Sequence, residues 1–248
     1  MQQTIRQNYQ VFLEQIERCA INCQRPLTTI HLVVVTKGQP VEKIEEVIEA
    51  GATILGENYP EETIKKIPSL LSTPVKWHMI GHLQSRKAKY VAEEFAMIHS
   101  IDRVEVAAKL NERLASTNRV MPALFEVNLS GEEAKNGFSA WDEQAWDRLI
   151  ESFQSLQELG NLHFVGLMTM PPYSENPESS REIYKKCRKL LELIQKQTTD
   201  PNFTQLSMGT SFDYGVAIQE GATYLRIGQA IMGERSYLKG KLDIITTL

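Results

Sequence analysis

The sequence predicts an α/β protein built as a single-domain, TIM-type (β/α)8 barrel, and three observations carry that prediction. Eight short apolar, β-branched runs occur in order, at 30–35, 53–55, 75–80, 97–101, 123–127, 162–167, 205–208 and 224–227. Segments with helical spacing, rather than tight hairpin turns, separate them. Eight such units in 248 residues match the usual size of a TIM barrel better than an open doubly wound sheet.

Each element follows from its local pattern. Tyr9, Phe12, Ile16, Cys19 and Cys23 recur at three- and four-residue steps, so a helix precedes the first strand. HLVVV within the first run is almost continuously apolar, as suits a parallel strand covered on both faces. Pro40 fits a first helical position, and Ile44, Val47 and Ile48 give 41–50 an apolar stripe. The same spacing predicts helices over 104–114, 141–159 and 180–195, the last carrying Ile183, Leu190 and Ile194. The second, fourth and seventh runs are short. No linker, low-complexity tract or composition break divides the chain, so one domain over 1–248 is expected.

Composition narrows the function classes. Hydrophobic residues make up 42% and charged residues 23%, enough for a sizeable core. A net charge of -4 leaves no overall basic field, so nucleic acid is not an expected partner. The start, MQQTIRQNYQ, is polar, and no run approaches the roughly 18 apolar residues of a membrane span. A soluble, cytoplasmic protein is expected. Cys19, Cys23 and Cys187 are too few for a disulfide framework, which fits a reducing compartment. No histidine or further cysteine near Cys19 and Cys23 completes a metal shell, so they read as core thiols and no metal is expected.

In a TIM barrel the ligand sits at the C-terminal ends of the strands. Lys37 follows VVVT there, Glu57 and Asn58 end the second run, His78, Gly81 and His82 surround the end of the third, and Asn128 and Thr169 end the fifth and sixth. A lysine is ordinarily a solvated surface charge. Lys37, however, is delivered by an apolar strand into a site where desolvation and cationic neighbours lower an amine's pKa, giving the unprotonated form that a Schiff base with a carbonyl ligand requires.

SMGTSFDYGVAIQ supplies the phosphate signal, because barrels often hold a phosphate between the last two loops and a short helix N-terminus. Gly209 allows close backbone approach, Ser211 offers a hydroxyl near a helix over 213–219, and Gly228 and Gln229 add main-chain donors. The competing reading makes Ser211 and Asp213 simple helix caps. Arg226 ends the eighth run and can only donate hydrogen bonds. Facing a pyridine nitrogen, it would keep that ring unprotonated and a poorer electron sink; a structural salt bridge is the alternative.

No catalytic residue is assigned. His78 and His82 show no acidic partner at a fixed offset and read as core or rim histidines. Arg86, Lys87 and Lys89 read as a solvated helix face, and Trp141, Trp146 and Phe153 as helix contacts with the core.

The stretches VVVTK, LGENYPEE, WHMIGHLQSRK, HSIDR, VNLSGEEAKNGF, GLMTMPP, LSMGTSFD and YLRIGQAIMG, over nearly the whole chain, resemble the YggS/PROSC family of pyridoxal phosphate homeostasis proteins. The resemblance implies the barrel of the alanine racemase N-terminal domain, the fold type III architecture, with pyridoxal 5′-phosphate as cofactor. It implies Lys37 as the Schiff-base lysine, Asn58 beside the cofactor, Arg226 near the pyridine nitrogen, and Ser211, Gly228 and Gln229 around the phosphate, with Met208 and Gly209 leading into that loop. It further implies a role in vitamin B6 homeostasis, buffering or delivering the cofactor without catalytic turnover. PLP-dependent apoenzymes are its candidate recipients, and a monomer is expected.

Three positions depart from the family pattern. Thr210 stands where methionine is usual, Gln229 where a small hydroxyl residue is common, and Glu61 where glutamine is frequent, all of which bear on cofactor affinity rather than identity. An amino-acid racemase of this fold is the rival reading, but it needs a tyrosine base from a second domain. Residues 234–248, which follow RIGQAIMG, are expected to be too few to build one. Two further readings compete: a cofactor-free lysine aldolase, which would not need Arg226, and an interaction module with a structural cofactor.

Overall fold

The computed structural model describes residues 4–70, 74–198 and 200–234. Its strands are β1 His31–Val35, β2 Ile54–Glu57, β3 Lys76–Met79, β4 Met97–Ile101, β5 Met121–Asn128, the two-residue β6 Phe138–Ser139, β7 Leu162–Met168, β8 Gln205–Ser207 and β9 Tyr224–Ile227. All the pairings are parallel. Running β4, β3, β2, β1, β9, β8, β7, β5, with β4 pairing back to β5, the sheet closes into an eight-stranded barrel, and β6 only appends to β5.

Helices cover the outside: α1 Ile5–Asn22, α2 Val41–Glu49, α3 Pro60–Lys66, α4 Ala88–Glu94, α5 Val104–Ser116, α6 Trp146–Gln157, α7 Arg181–Thr198, α8 Tyr214–Gln219 and α9 Gln229–Met232. The eight strands match the eight apolar runs to within a few residues at their ends. Sequence spacing misses α3 and α4, seven-residue helices with too few turns to show a period. The predicted helix over 141–159 is too long at its start. Asp142 accepts from the Gln144 N–H at 3.0 Å and opens a 3-10 turn, so α6 begins only at Trp146. Trp141 is consequently 55% exposed rather than a core contact, while Trp146 and Phe153 are buried as expected. Residues 235–248 lie outside the described residues, as does the reading that they form no second domain.

The main core lies between sheet and helices, where the outward side chains of the strands meet the apolar stripes of the helices. Phe125, Phe153, Phe164 and Phe203 are linked there by edge-to-face contacts. Cys187 is buried; Cys19 and Cys23 are only half-buried, packed against the core edge.

Helix α1 has a consequence for function. Thr4 and Gln7 form a reciprocal capping box at its start. Its side chains then reach the last helices of the barrel: Phe12 meets the Tyr214 ring at 4.7 Å, and Asn8 donates to the Ile231 carbonyl at 3.2 Å. It thereby braces α8 and α9, the two helices that follow the last barrel strands.

The barrel interior is unusually polar. Met97, Leu124 and Met168, with Val165 and Tyr224, form a small apolar cluster. His78, His99, Ser207 and Arg226 are also buried, and hydrogen bonds join them across the barrel. Bulky branched side chains usually fill this space.

Candidate cofactor site

At the C-terminal mouth, β1 is followed by Thr36, which is buried and donates to Glu57 Oε1 at 2.9 Å; Lys66 reaches the same oxygen at 3.1 Å. Burial pushes the Glu57 carboxyl up, while Lys66 and Thr36 pull it down. This tie fixes the end of β1 against that of β2, and so Lys37 against Asn58. Gly38 turns the chain at φ +69 after Lys37, and buried Gln39 donates to the Gly233 and Glu234 carbonyls at 3.3 Å each. Lys37, half-buried, is therefore carried on a turn anchored from two sides.

Asn58 Oδ1 is buried without a hydrogen-bond partner among the described residues. Gly81 makes room for this residue: a Cβ there would lie 2.7 Å from the Cα, Cβ and Cγ of Asn58. An orphaned buried acceptor in a mouth cleared for it is available to a ligand.

Strands β8 and β9 deliver the anion cradle side by side, since Arg226 N–H donates to the Gly209 carbonyl at 3.0 Å. Gly209 has φ +94, and a Cβ would lie 2.6 Å from the Ala217 side chain, so only glycine fits the turn. Asp213 does not cap α8. Its Oδ1 instead accepts from the Thr210 N–H and hydroxyl at 2.7 and 2.9 Å, and its Oδ2 from Ser180 and Tyr184 at 2.8 and 2.6 Å. Thr210, the departure from the family pattern, is thus a loop staple. Among the described residues nothing accepts from the Ser211 N–H or hydroxyl, or from the Gln229 N–H. The Gln229 side chain is exposed and that of Met208 lies in the outer core, so both offer a ligand chiefly main chain.

Arg226 is 4% exposed and makes no ion pair among the described residues. Nη1 donates to Ser207 Oγ at 2.6 Å and Nη2 to the Thr169 carbonyl at 3.0 Å and Met170 Sδ at 3.6 Å. The Nε–H and the second Nη1–H remain for an acceptor such as a ring nitrogen.

Lys37, Asn58, Met208, Gly209, Ser211, Arg226, Gly228 and Gln229 thus sit at the ends of β8, β9, β1 and β2, four neighbours in the ring. These residues fit pyridoxal phosphate: an amine for the aldehyde, unpartnered donors for the phosphate and a donor-only group for the pyridine nitrogen. Glu61 ion-pairs with Lys87, which offsets the charge it adds at the entrance.

The opposite rim holds groups that sequence reasoning did not connect. His82 Nδ1 meets Asp102 Oδ2 at 2.6 Å, and Arg103 holds Asp102 Oδ1 at 2.6 Å and the Leu83 carbonyl at 2.9 Å. The acidic partner of His82 was invisible in the sequence because it lies on the next strand end; HSIDR after WHMIGH is the signal that could have found it.

Glu126 at the end of β5 is pushed up to about 7 by burial and the Asp102 charge, against the pull of Arg226. Unfolded, it ionises near 4.5. Below that pH both states keep the proton; as pH rises the folded state pays a growing penalty, which levels off above 7 at roughly 3 kcal/mol. In cofactor-free protein, Glu126→Gln is therefore expected to raise urea stability at pH 8 by about 1–3 kcal/mol and far less at pH 5. Equal gains at both pH values would contradict a raised Glu126.

The chain matches the family described as alanine racemase, N-terminal domain, over residues 5–236. A pyridoxal phosphate homeostasis protein of Aquifex aeolicus is 39% identical over 225 residues, covering 91% of this chain and 96% of that one. That of Escherichia coli K12 is 35% identical, covering 91% and 94%. PipY of Synechococcus elongatus, solved with PLP bound, superposes with a TM-score of 0.77 at 30% identity over 88% of this chain and 99% of its own. The alanine racemase of Streptomyces coelicolor shares the fold at a TM-score of 0.69 and 15% identity, this chain spanning 57% of it. With relatives this similar over nearly their whole length, the chain belongs to the pyridoxal phosphate homeostasis protein family.

Proposed function

We propose that this protein binds pyridoxal 5′-phosphate as a Schiff base on Lys37 and buffers or delivers it in vitamin B6 homeostasis. The observation that carries the reading is the pair of loops after β8 and β9, whose unpartnered donors form an anion cradle on the strand next to the one bearing Lys37. Ser211 and the Gly228–Gln229 main chain hold the phosphate, Asn58 lies beside the ring, and Arg226 donates to the ring nitrogen. When bound, the cofactor supplies an electrophilic aldehyde and an electron-accepting ring; a donor-only guanidinium keeps that ring a weak acceptor. The names of its relatives support a homeostatic role. It acts in the cytoplasm as a monomer, with PLP-dependent apoenzymes as recipients; among the described residues no helix is long and apolar enough to cross a membrane.

The test is the visible spectrum of the purified protein supplied with cofactor. A yellow protein whose colour survives desalting is expected, and a colourless one would favour the lysine aldolase reading. Mixed with representative amino acids, it is expected to show no multiple-turnover racemase, transaminase or decarboxylase activity, because a ring facing the donor-only Arg226 is a poor electron sink. Sustained product formation that Lys37→Ala abolishes would overturn this.

A further inference from the structure

The barrel is also open at its other end. A cavity of about 520 Å³ occupies the N-terminal mouth, lined by residues from the start of all eight barrel strands. That volume falls within the range of small-molecule sites, on the face of a TIM barrel that normally serves stability alone. Its titratable side chains are Lys76, the imidazoles of His31, His78 and His163, and Tyr224; Gln205 adds an amide, and among the described residues no carboxylate lines it. Burial and then the Lys76 charge hold both His31 and His78 below the ordinary histidine range, His78 at about 3. No carboxylate among the described lining residues thus offsets the charge of Lys76, which is exposed at the rim. Ile54, Met97 and Val165 add apolar wall.

His78 also begins a hydrogen-bond chain whose direction is fixed from the other end. Arg226 can only donate, so Ser207 Oγ accepts from Nη1 at 2.6 Å. The buried Ser207 hydroxyl must then donate to His99 Nδ1, 2.8 Å away and its one other partner among the described residues. His99 therefore carries its proton on Nε2 and donates it to His78 Nδ1 at 3.0 Å. His78 in turn carries its proton on Nε2, which has no partner among the described residues. Burial, followed by neighbouring charge, holds His99 well below its ordinary value, so both rings are neutral.

We propose that the N-terminal cavity is a second binding site, for a small organic carboxylate, whose occupancy is felt at Arg226 through His78, His99 and Ser207. The ammonium of Lys76 and the Nε2–H of His78 take the carboxylate, and the apolar walls take its body. A carboxylate on His78 makes each acceptor in the chain stronger in turn, ending with Ser207 Oγ, which draws Arg226 more firmly to it. The link to the cofactor rests on the placement of Arg226 at the ring; the site itself does not.

Benzoate and its neutral isostere benzamide are titrated into protein with ¹⁵N-labelled histidines. Saturable shifts of the His31, His78 and His163 ring signals with benzoate alone are expected, weakened about tenfold or more by Lys76→Glu, the worth of one charged hydrogen bond. No saturable response, an equal response to benzamide, or an unaltered one in Lys76→Glu would overturn the site. In the cofactor-loaded protein benzoate is expected to shift the visible band, and in Ser207→Ala to bind without shifting it. Binding to the wild type with no change in the band overturns the link to Arg226. The ring-signal arm needs no cofactor, so failure of the pyridoxal phosphate reading would show separately.

Discussion

Borohydride reduction is expected to fix one pyridoxyl phosphate per chain on Lys37, and Lys37→Ala to lose the visible absorption entirely while remaining folded. The turn carrying Lys37 is held by backbone and by groups other than the lysine: Thr36 on Glu57, and Gln39 on the Gly233 and Glu234 carbonyls. Removing a half-buried side chain at the mouth is thus expected to cost no more than about 1 kcal/mol, an ordinary point-mutant effect. The cradle of Gly209, Ser211 and Gln229 does not depend on the amine, so the variant should still bind the cofactor weakly and reversibly through its phosphate. Peptide mapping of the reduced protein decides the placement. Among the rival amines, Lys87 is paired with Glu61, and Lys135 donates to the Met170 carbonyl at 3.0 Å. The reduced cofactor on either of them would place the site on the opposite rim.

The barrel was legible because its signal is collective. Each run alone is ambiguous between strand and buried helix, but eight in register with intervening helical spacing leave few topologies. β2 and β8 are only four and three residues long, yet their apolar runs, at 53–55 and 205–208, still mark them in the sequence. Helices α3 and α4 escaped for the opposite reason, being short connections whose apolar positions are too few to repeat.

In the site, local residues were readable and cross-strand partners were not. Lys37, Asn58, Gly209 and Arg226 stand out because each ends a strand or opens a loop. The fate of Asp213 was not readable: it looks like a helix cap, yet its two oxygens bind Thr210, Ser180 and Tyr184, the last two in a segment some thirty positions earlier. The pairing of His82 with Asp102 was hidden in the same way, since strand-end neighbours in a barrel lie a whole helical crossover apart in sequence.

Arg226→Glu is expected to reduce cofactor retention on dialysis by well over tenfold, roughly the worth of a charged hydrogen bond, whereas Gln229→Ala changes it by no more than about twofold. Gln229 contributes its N–H, which alanine keeps, and its side chain is exposed. The arginine lies in the barrel with its donors on Ser207, Thr169 and Met170, and a carboxylate there would face the Thr169 carbonyl and lie within the field of Glu126. That substitution also leaves a buried charge unpaired, at a cost of about 3–5 kcal/mol, so loss of cofactor alone could report unfolding. Arg226→Gln separates the two effects, because its amide still donates without burying a charge. It should stay folded by urea titration and hold the cofactor better than Arg226→Glu but less well than the wild type. Retention by folded Arg226→Gln equal to that of the wild type would show that the guanidinium serves only the barrel interior and does not reach the ring.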